Sequence, residues 1–234
     1  ASLVVAADGA DSPLRTLAGI GGTPEDYPQT AMVTHLSTEK SHRSTAYQRF
    51  LEDGPLALLP LADGRVSIVW STRPARAASL MQLDDDDFAA AVTEASGRVL
   101  GVLSAPASRL SHPLRRFNAP TYTATRFALV GDAAHIVHPL AGQGVNQGLL
   151  DVRVLVHELG KAVRAGADVG DPPALGRYGR RRRIENAVMG QALDTIYRAY
   201  TNDQGWVRRG RRMALAVANG FAPLKQALVS RALI

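Results

Sequence analysis

Residues 131–148 read Gly131-Asp132-Ala133-Ala134-His135-Ile136-Val137-His138-Pro139-Leu140-Ala141-Gly142-Gln143-Gly144-Val145-Asn146-Gln147-Gly148. Arg126–Val130, apolar after its first residue, precedes them and reads as a buried strand. Beyond them, apolar residues at 149, 152, 156, 159 and 163 alternate four and three apart and mark the apolar face of a long helix. A strand, a glycine-punctuated loop and a helix N-terminus make a ligand cradle. Gly131 lets the backbone pass close to a bound group. Asp132, at the strand's carboxyl end, can accept hydrogen bonds from the vicinal hydroxyls of a ribose or ribityl chain. Ala133 and Ala134 leave room, and Gly142 and Gly144 bare the N–H groups of a helix start, which stabilise negative charge.

Working outward, residues 1–7 form a second apolar strand, closed by the turn Asp8-Gly9. Ser12-Pro13 is a helix start, with Ser at the N-cap and Pro at the first helical position. The stretches 30–37, 45–51, 56–61 and 65–72 are strand-like and separated by turn signals, so an antiparallel sheet is expected there. Four aspartates, 84–87, precede a helix expected over 88–103, where they read as a solvated N-terminal cap rather than a metal site. Helices are expected over 14–18 and about 175–200, with two closing helices over 206–219 and 223–234.

Composition narrows the function classes. The chain has 234 residues, 46% hydrophobic and 21% charged, enough apolar material for a sizeable core. No cysteine is present, which excludes disulfide frameworks, thiolate zinc sites and thiol nucleophiles and suits a reducing cytoplasm. The formal charge of +6 is unevenly spread: residues 177–234 carry +9 and residues 1–176 carry −3. Aromatic residues are only 6% and none interleaves the run 180–183, so nucleic acid is disfavoured as a partner. One or two of those four arginines are expected to pair inward and the rest to be solvated. Arg208, Arg209, Arg211 and Arg212 flank an apolar segment and suit peripheral membrane contact. His135 and His138 lie three apart, but no third ligand is near, and no metal is expected.

The block at 131–148 resembles the second FAD-binding motif of flavin-dependent aromatic hydroxylases of the para-hydroxybenzoate hydroxylase type. Asp8-Gly9-Ala10-Asp11-Ser12-Pro13-Leu14-Arg15 is similar to that family's other internal motif. The form His138-Pro139-x-Ala141-Gly142-Gln143-Gly144-x-Asn146, with Tyr178, the arginine run, Glu185-Asn186 and the Trp206-Val207-Arg208-Arg209 stretch, points to the ubiquinone-biosynthesis branch. The resemblance implies FAD as cofactor, NAD(P)H as reductant, O2 as oxidant and a prenylated phenol or quinol as substrate. It also implies a hydroperoxide at the flavin C4a that delivers oxygen to the ring. Carried over, Gly131, Asp132, Gly142, Gln143, Gly144, Val145 and Asn146 bind the flavin, and Asp8, Gly9 and Arg15 lie near the pyrophosphate. Pro139 and His138 stand beside substrate and ring, with no residue assigned as catalytic.

The fold class expected is an α/β mixture. A partial Rossmann-like FAD-binding domain is assigned to residues 1–26 and 121–165, an antiparallel substrate domain to 27–120 and a helical region to 166–234. The family's Gly-x-Gly-x-x-Gly fingerprint for the ADP half of FAD is missing, and the chain opens in mid-strand without Met. It therefore reads as a fragment, expected to hold FAD weakly or not at all by itself. Two alternatives stay open: a hydroxylase of a soluble phenol, and a non-catalytic quinone- or lipid-binding or assembly module. A homodimer or biosynthetic complex, located in the cytoplasm or at the inner membrane face, completes the expectation.

Overall fold

The structure is a computed structural model that describes residues 1–139 and 142–201; the two closing helices and their basic flank lie outside the described residues. In chain order the first elements are β1 (Val4–Ala6), α1 (Pro13–Leu17), β2 (Glu25–Thr38), β3 (Tyr47–Leu51), β4 (Gly54–Pro60) and β5 (Val66–Thr72). Then come α2 (Pro74–Met81), α3 (Asp85–Ser96), β6 (Leu103–Ser104), β7 (Leu110–Asn118), β8 (Thr123–Ala124) and β9 (Phe127–Leu129). A 3-10 turn (Gly131–Ala133), β10 (His135–Ile136), α4 (Gln143–Arg164) and α5 (Pro172–Thr201) follow.

The chain divides into two compact units. Ala1–Glu25 and Arg115–Ile196 form the first, and Asp26–Leu114 with residues 197–201 belong to the second. Most of α5 thus belongs with the two motif-bearing segments instead of standing apart as a separate helical region. The first unit contains a three-stranded sheet of order β1-β9-β8, in which β1 runs parallel to β9 and β8 antiparallel to it. Its core joins Ala6, Phe117, Tyr122 and Leu129 to Val154 and Leu155 of α4 and Leu175 and Tyr178 of α5. The opening strand is a sheet edge and only partly covered: Ala6 is buried, whereas Val4 and Val5 are exposed.

In the second unit β2, β5, β4 and β3 form an antiparallel array, with β6 and β7 beside β2. Alternation along β2 and β5 puts Met32, Leu36, Val66, Ile68 and Trp70 on one buried face, closed by Phe88 and Val92 of α3. The aspartate run behaves as a cap: Asp84 Oδ1 accepts the N–H of Asp87 at 2.8 Å. α3 is shorter than its apolar pattern suggests, because Gly97 closes it in the left-handed conformation (φ 71°). Leu100 and Leu103 still reach the core, but from the loop and β6 beyond that cap.

The β3–β4 hairpin turns on Glu52 and Asp53, and Gly54 closes it at φ 143°. A Cβ there would lie 2.4 Å from the carbonyl oxygen of Ser71 and 2.4 Å from Nε2 of Gln29. Backbone strain and steric overlap therefore coincide at this position. Gly54→Ala is expected to destabilise the chain by about 1–3 kcal/mol. Urea unfolding followed by circular dichroism checks this, and an unchanged midpoint would refute it.

Candidate functional site

The sheet of the first unit brings the two glycine–aspartate motifs together across more than a hundred residues of sequence. β1 and β9 are parallel neighbours, in register Val5 to Ala128, so both motifs leave the sheet at the same carboxyl edge. In open α/β sheets that edge is where ligands bind. The Val130 N–H donates to the Ala6 carbonyl at 3.0 Å and carries the pairing to the start of both loops. Gly9 stands at φ 87° with open space where a Cβ would lie.

Arg15 joins the loops. Its guanidinium donates to the Ala133 carbonyl at 2.8 Å and to the Ala10 carbonyl at 3.0 Å, and lies 4.5 Å from the Phe117 ring centroid. It is a brace between the motifs, not a surface helix residue. Asp8 is engaged at the start of α1, accepting from Ser12 Oγ at 2.5 Å and from the Leu14 N–H at 3.1 Å. Slight desolvation raises its pKa, but these hydrogen bonds outweigh it and hold the carboxyl below the usual carboxylate range.

In the second motif Asp132 is exposed on the 3-10 turn, and its carboxylate has no hydrogen-bond or ion-pair partner among the described residues. Gly131 takes φ 62°, and its N–H donates to Asp151 Oδ2 at 2.9 Å. α4 crosses this turn closely: a Cβ on Gly148 would lie 3.3 Å from the Gly131 Cα. At the start of α4, Gly142 is left-handed (φ 61°) and supplies no side-chain cap, while a Cβ on Gly144 would meet open space. Gln143 is buried, and its Oε1 has no donor among the described residues. Val145 is 75% exposed and Asn146 half-buried. Leu140 and Ala141 lie outside the described residues.

An unpartnered carboxylate, an uncapped helix N-terminus and a buried amide oxygen without a donor suit a ligand with vicinal hydroxyls, a polarised oxygen and N–H groups. A flavin nucleotide has all three. The residues present therefore fit FAD.

Beneath the loop lies a buried polar cluster: Arg182 meets the expectation that an arginine of the run 180–183 pairs inward, while its partner Asp151 was not singled out from the sequence. Asp151 of α4 is fully buried and accepts from four donors: the Gly131 N–H, His135 Nε2 at 2.6 Å, Arg182 Nε at 2.7 Å and Asn186 Nδ2 at 3.2 Å. Burial alone would raise its pKa, but the contacts from His135, Arg182 and Gly131 prevail and keep the carboxyl below the usual range. Arg182 is itself buried and also reaches Gln147, Glu185 and Asn186. Tyr178, one turn earlier, donates to the Leu129 carbonyl at 2.5 Å. The signal was present: Tyr178, Arg182 and Asn186 stand four apart on α5, and Gln147 and Asp151 four apart on α4.

This cluster inverts the expected orientation of α4. The periodicity correctly marks a helix, but Leu149, Val152, Val156 and Val163 are exposed, while Gln143, Gln147, Asp151 and Glu158 face inward beside Leu150, Val154 and Leu155. The inward charges are matched by α5, with Arg182 on Asp151 and Arg177 on Glu158 at 2.6 Å.

His138, just before Pro139, is 1% exposed; burial pushes its imidazole pKa down to about 4, against a smaller opposing pull from Asp194. The unfolded chain then binds the proton first on acidification. Stability is therefore expected to fall as pH drops from about 6.5 toward 4, by at most about 1.4 kcal/mol per pH unit from this group. His138→Gln is expected to flatten that slope in chemical denaturation; an identical slope in the variant would contradict the assignment. Among the described residues no cluster of three or more His, Cys, Asp or Glu could hold a metal, and no helix is long and apolar enough to cross a membrane.

Comparison with known proteins agrees with this geometry. Ubiquinone hydroxylase UbiL of Rhodospirillum rubrum is 40% identical over 233 residues, covering 100% of this chain and 54% of the relative. The 3-demethoxyubiquinol 3-hydroxylase of Escherichia coli is 37% identical, covering 100% of this chain and 59% of its own length. The human ubiquinone biosynthesis monooxygenase COQ6 is 36% identical, covering 97% and 56%. The chain thus spans just over half the length of these relatives. Among solved structures, p-nitrophenol 4-monooxygenase PnpA of Pseudomonas putida superposes with a TM-score of 0.76 at 18% identity, over 98% of this chain and 58% of that one. The match shows a shared fold. A family model described as the FAD binding domain matches residues 1–191, and the chain belongs to that FAD-binding family.

Proposed function

We propose that this chain is the larger part of an FAD-dependent monooxygenase that hydroxylates the aromatic ring of a prenylated phenol or quinol in ubiquinone biosynthesis, with NAD(P)H as reductant and O2 as oxidant. The observation that carries the reading is the pairing of β1 with β9, which sets the Asp8 and Asp132 motifs side by side, with the exposed Asp132 carboxylate unpartnered among the described residues. The named activities of the three curated relatives support the substrate class.

In this reading Asp132 accepts hydrogen bonds from the ribityl or ribose hydroxyls. The N-terminal N–H groups of α4, from Gln143 to Asn146, face the ring and favour negative charge on it. Arg15 keeps the two loops at fixed spacing. Pro139 and the neutral, buried His138 shape the side of the ring toward substrate, and the antiparallel unit is the substrate-binding part. Bound FAD supplies electron transfer and oxygen activation; the protein supplies position and exclusion of water.

The experiment is a chimera in which the part of Rhodospirillum rubrum UbiL that this chain does not span is joined to it. The chimera is expected to purify yellow and to oxidise NAD(P)H faster when a prenylated phenol is added. This chain alone is expected to hold FAD weakly or not at all. A folded but colourless chimera would overturn the reading, and equal turnover of short-chain phenols without lipid would shift the substrate to the soluble class.

A further inference from the structure

A second cleft lies in the first unit, of about 320 Å³, between residues 120–123 and one side of α5. It shares no residue with the two motifs. Thr121, Thr123, Gly176, Gly179, Arg180 and Arg183 line it, and no acidic residue does.

The arginines of α5 sort by partner. Arg177 is paired with Glu158, Arg181 with Glu185, and Arg182 with Asp151 and Glu185. Arg180 and Arg183 have no carboxylate partner among the described residues, and these are the two that line the cleft. Three residues apart, they project from the same side of the helix. Both residues are exposed, so solvent and salt screen their charges, and an anion in the cleft gains attraction from both.

The remaining wall is formed where α5 packs on β8. Gly179 brings α5 so close to the strand that a Cβ there would lie 3.2 Å from both Cγ2 and Oγ1 of Thr123. A Cβ on Gly176 would lie 3.4 Å from a terminal nitrogen of Arg180. The missing side chain at 179 permits the close approach of α5 to β8, and at 176 it leaves room for the Arg180 guanidinium over the helix surface. Thr121 Oγ1 is oriented by donating to the Thr123 carbonyl at 3.1 Å, and Thr123 lines the same cleft beside Gly179.

We propose that this cleft is a phosphate-binding site, with Arg180 and Arg183 forming a two-armed clamp and the Thr123 hydroxyl a third donor. Arginine suits phosphate because its planar fork donates two parallel hydrogen bonds while keeping its charge at all working pH values. The same chemistry is offered by a soluble phosphate and by an anionic lipid headgroup. The proposal stands independently of the flavin reading, since it concerns a different face and needs no cofactor.

The test uses the chain as it is. Binding of inorganic phosphate and of pyrophosphate is measured by calorimetry. Sedimentation is measured with vesicles of phosphatidylcholine alone and of phosphatidylcholine mixed with phosphatidic acid. Arg180→Gln/Arg183→Gln and Thr123→Val are compared with Arg181→Gln, which removes a charge from the same helix outside the cleft; melting curves confirm that each variant is folded. The double variant is expected to weaken binding about tenfold or more, and Arg181→Gln to leave it within about twofold. Binding of pyrophosphate that is lost in the double variant, with no sedimentation on either vesicle, assigns a soluble source. Binding only to vesicles containing phosphatidic acid, lost in the double variant, assigns a headgroup. No binding of either probe, or equal loss in Arg181→Gln and the double variant, would overturn the site.

Discussion

Arg182→Met is expected to cost about 3–5 kcal/mol of stability, because it leaves the Asp151 carboxylate buried without its permanently charged partner. The Arg182 side chain is 2% exposed and that of Asp151 0%, so solvent cannot replace the lost partner. The second ion pair of Arg182, to a Glu185 side chain 42% exposed, contributes little by comparison. Against a typical total of about 5–15 kcal/mol, this is a large fraction. For a chain of this size the melting temperature is expected to fall by roughly 6–20 °C.

A double-mutant cycle separates pairing from packing. Asp151→Asn alone strands the guanidinium, whereas Asp151→Asn combined with Arg182→Met removes both charges and is expected to cost less than the two single changes added together. Additive losses would show that the two residues act independently and would remove this pair as the support of the Gly131–His135 turn.

Asp132→Ala, made in the chimera with the UbiL segment, is expected to leave melting of the cofactor-free protein unchanged and to loosen FAD strongly. The structural half follows from exposure: the carboxylate makes no hydrogen bond or ion pair among the described residues, so its removal breaks none there. The binding half follows from chemistry. Hydrogen bonds to a charged acceptor contribute about 1.5–3 kcal/mol, which corresponds to roughly 10- to 150-fold in Kd. Fluorescence titration of FAD into the two proteins measures it. A variant that retains FAD as tightly as the parent would show that Asp132 is a turn residue and nothing more. The contrast with Asp151 is informative: two aspartates near one loop have opposite expected phenotypes because one is open and the other enclosed.

Much of the architecture was readable in one dimension. The strand–turn–helix around Asp132, the Ser12-Pro13 helix start, the four sheet segments between 25 and 72 and the two long helices each depend on local rules: period, cap and turn chemistry. The motif residues were readable for the same reason, since glycine and aspartate types are dictated by backbone conformation within a few residues. The length of α3 escaped reading because apolar residues at 99, 100 and 103 continue a helical pattern past the Gly97 cap while belonging to the next segment.

The face on which α4 is buried could not be read locally. An apolar stripe normally turns inward, yet here Leu149, Val152 and Val156 are exposed and Asp151 is enclosed. That orientation depends on Arg182, Asn186 and Tyr178, which approach from a helix some thirty residues away and make a charged face cheap to bury. By itself the sequence determined which segments become strands, turns and helices, because those properties reside in short-range backbone geometry. The three-dimensional arrangement alone decided that Asp132 stays open while Asp151 is locked, that Arg15 braces two loops, and that Arg180 and Arg183 share a cleft. Each of these depends on which distant group supplies the opposing charge or donor, and only the folded chain sets that pairing.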